Sequence, residues 1–146
     1  MNSRFWIGLL LRVVLGVAFV WAAASKLRDP LAFATAVESY QVVGADWARW
    51  VALGLPWLEL WAGLGLLFPG VRRGSAWVIG LLLLCFMGLH LSAWLRGLEV
   101  DCGCFGSMGL MAPYAVLLVR NGLLLLGAVI LIYWDRERGI EGRVVR

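Results

Sequence analysis

Cys102 and Cys104 stand one residue apart in the string Val100–Gly109, VDCGCFGSMG. Two thiols at that spacing can exchange disulfides, hold a soft metal or staple the chain. Gly103 relieves the backbone of so small a ring, and a strained, exposed disulfide is labile, which suits exchange. As a staple the ring would remove almost no chain entropy, because the closed loop is so short. Cys102, Cys104, Met108 and Met111 also offer thiolate and thioether donors, the set that favours Cu(I). His90, the single histidine, completes a metal site only if the loop folds down to it. The spacing favours exchange over metal binding, and metal binding over a structural bridge. Asp101 and Glu99 disfavour a neighbouring thiolate, whereas Lys26 favours one if the loop sits above the first helix. Which cysteine attacks stays open. Gly106 and Gly109 let the loop turn back.

A second set of candidates lies inside apolar runs. Glu59 follows Pro56 by about one turn in the second run, where a carboxylate costs about 2.5–3.5 kcal/mol on insertion scales unless paired or facing a wet cavity. Arg12 in the first run and Arg120 in the fourth lie at similar depth by residue count and are its expected partners. Such a cluster either fixes helix packing or lines a polar pocket. In the first run Arg12, Gly16, Phe19, Ala23 and Lys26 share one helical face, which should point into a bundle. His90 reads first as a hydrogen-bonded packing residue. Cys85 reads as a small apolar side chain on a different face from His90.

The elements that must position these groups follow from composition. Of 146 residues, 62% are hydrophobic and 15% charged, with nine Trp. A soluble domain of this size cannot bury so much apolar surface. Four runs approach the roughly 20 residues of a spanning helix: Phe5–Ser25, Trp47–Phe68, Trp77–Leu95 and Tyr114–Trp134. The expected fold is all-α, a single four-helix membrane domain over residues 1–146. Asp29 as N-cap and Pro30 at the first helical position predict a short amphipathic helix in the first outer loop, with Gly44 ending the turn. Trp47 and Trp50 suit an interfacial belt, and Pro56 should bend the second run.

The N-terminal run ends in Ala22-Ala23-Ala24-Ser25, like a signal cleavage site, but it is too long for a signal and is interrupted by Arg12. It is expected to be retained. Although the net charge is +4, nucleic acid is not the expected partner. Arg4, Arg72, Arg73, Arg136, Arg138, Arg143 and Arg146 fall before the first run, between the second and third, and after the fourth. The other two loops mix Lys26, Arg28, Arg49 and Arg96 with acidic residues. The positive-inside rule therefore places both termini in the cytoplasm and the cysteine loop outside.

Asp101-Cys102-Gly103-Cys104-Phe105-Gly106, in the last outer loop of a four-helix membrane protein, resembles the MauE branch (methylamine utilisation) of the DoxX-like superfamily. Arg12, Gly16 and Lys26, Pro56 and Glu59, and Arg120 fit the same pattern. The resemblance implies a bacterial cytoplasmic-membrane protein working with a periplasmic thioredoxin-like partner in maturing a disulfide-rich dehydrogenase subunit. The reading drawn from residues and resemblance together is a thiol–disulfide oxidoreductase. Only Cys85 remains to carry electrons inward, so elimination points to a quinone in the bilayer, near Lys26, His90 or the Arg12/Glu59/Arg120 cluster. The competing readings are copper handling and non-catalytic assembly.

Overall fold

A computed structural model describes residues 3–98 and 114–144, with side chains described as far as Arg136. Among the described residues the chain is all-helical. In order the helices are α1 (Ser3–Arg28), α2 (Pro30–Ser39), α3 (Ala45–Gly65), α4 (Arg72–Leu95) and α5 (Tyr114–Val144). The long helices fall on the four apolar runs, extended at several ends by polar residues. Three of them, α1, α4 and α5 as far as Arg136, are long and apolar enough to cross a membrane. The fourth, α3, has 21 residues, and Asp46, Arg49 and Glu59 lower its apolar character.

Outward-facing side chains are apolar along most of the bundle, among them Leu10, Val17, Trp21, Trp57, Trp61, Leu84 and Leu123. Water does not favour so continuous an apolar surface, and a bilayer does. Inside, Leu15, Phe19, Leu66, Ile79, Leu83 and Leu131 join α1, α3, α4 and α5 in one core. The most extensive packing is α4 along α5 and α1 along α3.

The α1–α3 crossing sets the register of the candidate site. A Cβ built on Gly16 would lie 3.0 Å from the carbonyl oxygen of Gly63, and one built on Gly63 would lie 3.0 Å from that of Gly16. Only the absence of both side chains lets the backbones approach so closely. The expected inward face of α1 is the buried one: Arg12, Gly16, Phe19, Ala23 and Lys26 are all buried.

The short helix α2 starts as its sequence directs. Asp29 caps it, its carboxylate accepting from the Ala32 amide at 2.9 Å, and Pro30 opens the first turn. Phe33 and Ala34 pack with Ala52 of α3, flanked by Val37 and Leu55. The expectation for Gly44 is corrected. The helix stops at Ser39, Gln41 turns the chain at φ 51°, and Gly44 instead precedes α3 as its N-cap with an extended backbone. Gln41 is held in place by its side-chain oxygen, which accepts from Arg96 at 3.3 Å.

A buried ion pair beside an apolar cavity

Lys26 and Glu59 form the centre of the candidate site. They are 2% and 1% exposed, and the Lys26 ammonium donates to both carboxylate oxygens, at 2.5 and 2.7 Å. The Lys26 Nζ also stands 5.1 Å from the Phe33 ring centroid and 5.2 Å from that of Phe86. Two aromatic faces and a bidentate carboxylate together replace the water that an ammonium loses on burial.

This corrects the expected partnership of Glu59 with Arg12. The reason is the direction of side chains on antiparallel helices. Cα–Cβ bonds tilt toward a helix's N-terminus, so Lys26 leans back along α1 toward the crossing while Glu59 leans away from the crossing along α3. The two therefore converge. Arg12 lies one turn on the other side of the crossing, about 6 Å, and leans farther from Glu59. It pairs instead with Asp135 of α5 at 2.8 Å, and Arg72 at the start of α4 approaches the same Asp135 oxygen at 3.5 Å. Arg120 donates to Asn121 Oδ1, its neighbour, at 3.2 Å from NH2 and 3.4 Å from Nε. Arg12 and Glu59 are thus placed at different levels of the bundle.

His90 joins the Lys26–Glu59 level. It is 3% exposed, its Nδ1 lies 2.5 Å from the Phe86 carbonyl oxygen, and its ring meets Tyr40 edge-on at 5.8 Å between centroids. Lys26, His90, Tyr40, Phe33 and Phe86 line a cavity of about 150 Å³, completed by aliphatic residues of α2, α3, α4 and the turn after α2. Apart from the Lys26 and His90 heads and the Tyr40 hydroxyl, the side chains of its wall are apolar. Cys85 is exposed on α4, so it sits away from His90, as its spacing requires.

The string Asp101-Cys102-Gly103-Cys104-Phe105-Gly106, with Met108 and Met111, lies outside the described residues. What the structure describes is where that stretch leaves and re-enters the bundle. The Tyr114 hydroxyl donates to the Leu98 carbonyl, tying the start of α5 to the end of α4. Arg96 donates to the Tyr40 carbonyl at 3.0 Å, tying the same end of α4 to the turn beside the cavity. Leu98 and Tyr114, the described residues that flank that stretch, are therefore tied together at the end of the molecule that holds the cavity.

Sequence reasoning missed Asp135, which stands one residue beyond the fourth apolar run and reads there as an ordinary polar flank. It also missed the cavity, because Phe33 and Tyr40 carried only the periodicity of a surface helix. Among the described residues, no group of three or more His, Cys, Asp or Glu could hold a metal ion.

An all-helical bundle with multi-pass membrane character, ion-paired at two buried levels, is the class of protein that this fold and site define. Within that class the chain belongs to the MauE family: residues 4–134 match the family model described as methylamine utilisation protein MauE. It is 38% identical over 116 residues to the methylamine utilization protein MauE of Paracoccus denitrificans, covering 79% of this chain and 62% of the relative. The MauE of Methylorubrum extorquens is 33% identical over 109 residues, covering 73% of this chain and 58% of the relative. That of Methylophilus methylotrophus is 32% identical, covering 76% and 60%. The chain thus spans about 60% of the length of these curated relatives. No solved structure matches it.

Proposed function

We propose that the chain is a thiol–disulfide oxidoreductase of the bacterial cytoplasmic membrane. In this reading it crosses the bilayer four times, α3 being the second crossing, with both termini in the cytoplasm. Cys102 and Cys104 work on the outer side with a periplasmic thioredoxin-like protein or a substrate protein. The family's description as a methylamine utilisation protein is compatible with this: the resemblance implies maturation of a disulfide-rich dehydrogenase subunit, a task in which disulfides must be formed correctly.

The observation that carries the reading is the Cys-Gly-Cys string on a stretch whose two ends are tied together by Tyr114 and Leu98. A thiolate of the partner attacks the Cys102–Cys104 disulfide and forms a mixed disulfide. The partner's second thiol then resolves it, so that one S–S bond breaks, one forms in the partner, and Cys102 and Cys104 are left as the dithiol that carries the electron pair. A copper-handling role through Cys102, Cys104, Met108 and Met111 makes the opposite prediction about the sulfurs.

Labelling of intact cells with a membrane-impermeant maleimide, with and without reductant, tests this, mass spectrometry assigning Cys102 and Cys104. A reducible disulfide, and a trapped mixed disulfide in Cys104→Ser or Cys102→Ser, are the expected results. Two free thiols that Cu(I) protects from labelling would overturn the exchange reading in favour of the metal one. Labelling only after the membrane is opened would overturn the orientation.

A further inference from the structure

We infer that the cavity between α2, α3 and α4 binds the ring of a quinone, one of whose carbonyl oxygens accepts a hydrogen bond from Lys26. The inference rests on the reading of Cys102 and Cys104 as a redox pair and names the electron acceptor that the pair uses. Four observations lead to it.

Size comes first. A cavity of about 150 Å³ matches one that holds a benzene-sized ring. The lining comes next. Phe33, Phe86, Leu55 and Val51 offer an apolar slot, which suits a neutral planar molecule and not a sugar or a phosphate. Third is charge. Lys26 is already neutralised by Glu59 at 2.5 and 2.7 Å, so an anionic ligand would meet the carboxylate's repulsion without a net positive charge to attract it. A neutral acceptor oxygen fits, because an ammonium has three N–H donors and Glu59 has two oxygens. His90 and Tyr40 stand on the same wall.

The fourth observation is electron accounting. Closing a Cys102–Cys104 disulfide breaks two S–H bonds, forms one S–S bond and releases two protons and two electrons. The chain has three cysteines, and the remaining one, Cys85, is exposed on α4 and cannot take an electron pair by forming a disulfide alone. The acceptor must then be a two-electron oxidant that can reach a slot between apolar helices. A quinone meets both conditions, and takes up both protons and both electrons to leave as the hydroquinone.

The test measures binding, not turnover. Purified full-length protein in lipid nanodiscs is titrated with ubiquinone-1 and, separately, with naphthalene, a ring of similar width without carbonyls. It is done in the wild type and in Cys102→Ser/Cys104→Ser, so that binding is read apart from thiol chemistry. Saturable ubiquinone-1 binding is expected in both proteins, at least tenfold tighter than naphthalene. Leu55→Trp fills the cavity without touching the ion pair and should weaken ubiquinone-1 at least tenfold. Leu84→Trp, on the outward side of α4, should leave it unchanged. Lys26→Met/Glu59→Leu, which removes the donor without stranding a charge, should bring ubiquinone-1 down to the affinity of naphthalene. No saturable binding, or binding indifferent to Leu55→Trp, overturns the site. Equal affinity for naphthalene overturns the Lys26 hydrogen bond. A trapped Cys102–Cys104 disulfide with no quinone binding leaves the exchange reading standing and removes this one. Binding with the cysteines never oxidised does the reverse.

Discussion

The two buried ionic sites of this bundle differ in what surrounds them. Lys26 and Glu59 form a pair of opposite charges, both under 3% exposed, with aromatic rings against the ammonium and open space beyond. Asp135 serves two cations: Arg12, and Arg72, whose side chain is 29% exposed. The first joins α1 to α3 within the body of the bundle. The second joins α1, α4 and α5 at the opposite end. A matched pair can be exchanged for apolar residues of like size, whereas a shared carboxylate leaves a cation behind whichever single arginine is removed with it. The contrast separates a site that tolerates redesign from a clamp that does not.

Stranding one charge breaks the first site most severely. Glu59→Leu should cost about 3–5 kcal/mol, the range for orphaning a buried partner, read as thermal unfolding in detergent. Adding Lys26→Met should recover most of that loss. No recovery in the double variant would mean that the pair is not the source of the cost. Asp135→Leu should cost about 3 kcal/mol, the low end of the same range, because one of the two cations it strands, Arg72, is only partly buried. Here Arg12→Met should restore only part of the stability. Full restoration would erase the contrast between the two sites.

Gly63→Ala tests the crossing that sets the register. It should cost about 1–3 kcal/mol by overpacking against the Gly16 carbonyl. It should also reduce the Lys26–Glu59 coupling in a double-mutant cycle while leaving the Arg12–Asp135 coupling intact. Asp29→Ala removes the α2 cap and should cost about 1 kcal/mol. Arg49→Ala breaks a 3.9 Å contact between well-exposed side chains and should leave the melting temperature unchanged.

Much of the architecture was legible because it depends on local rules. The apolar runs give the long helices, Asp29-Pro30 gives the start of α2, and the Arg12–Lys26 spacing gives the buried face of α1. The charge partners were not legible, since they depend on where α1 crosses α3 and on which way each Cβ tilts. Counting residues from the membrane surface set Arg12 and Glu59 at one depth, yet the Gly16–Gly63 crossing lies between them. His90 was legible as a packing residue, but not as part of a cavity wall, because the opposing wall comes from α2 and the turn after it. The Cys-Gly-Cys pair is a reading of spacing alone, since its stretch lies outside the described residues.

The separation of Lys26 and Glu59 along the chain also has a consequence for biogenesis. They stand 33 positions apart in the chain, so the lysine leaves the ribosome first. At about 5–20 residues per second, it waits roughly 2–7 s before its carboxylate is made. Its place near the end of α1 makes that wait tolerable, because a terminal lysine can hold its ammonium at the headgroups while the rest of the helix is already in lipid. Arrival of α3 then draws the cation inward. Pair formation is thus a late event in insertion, and a ribosome-stalled chain ending before Glu59 should leave Lys26 open to amine-reactive labelling that the finished protein resists.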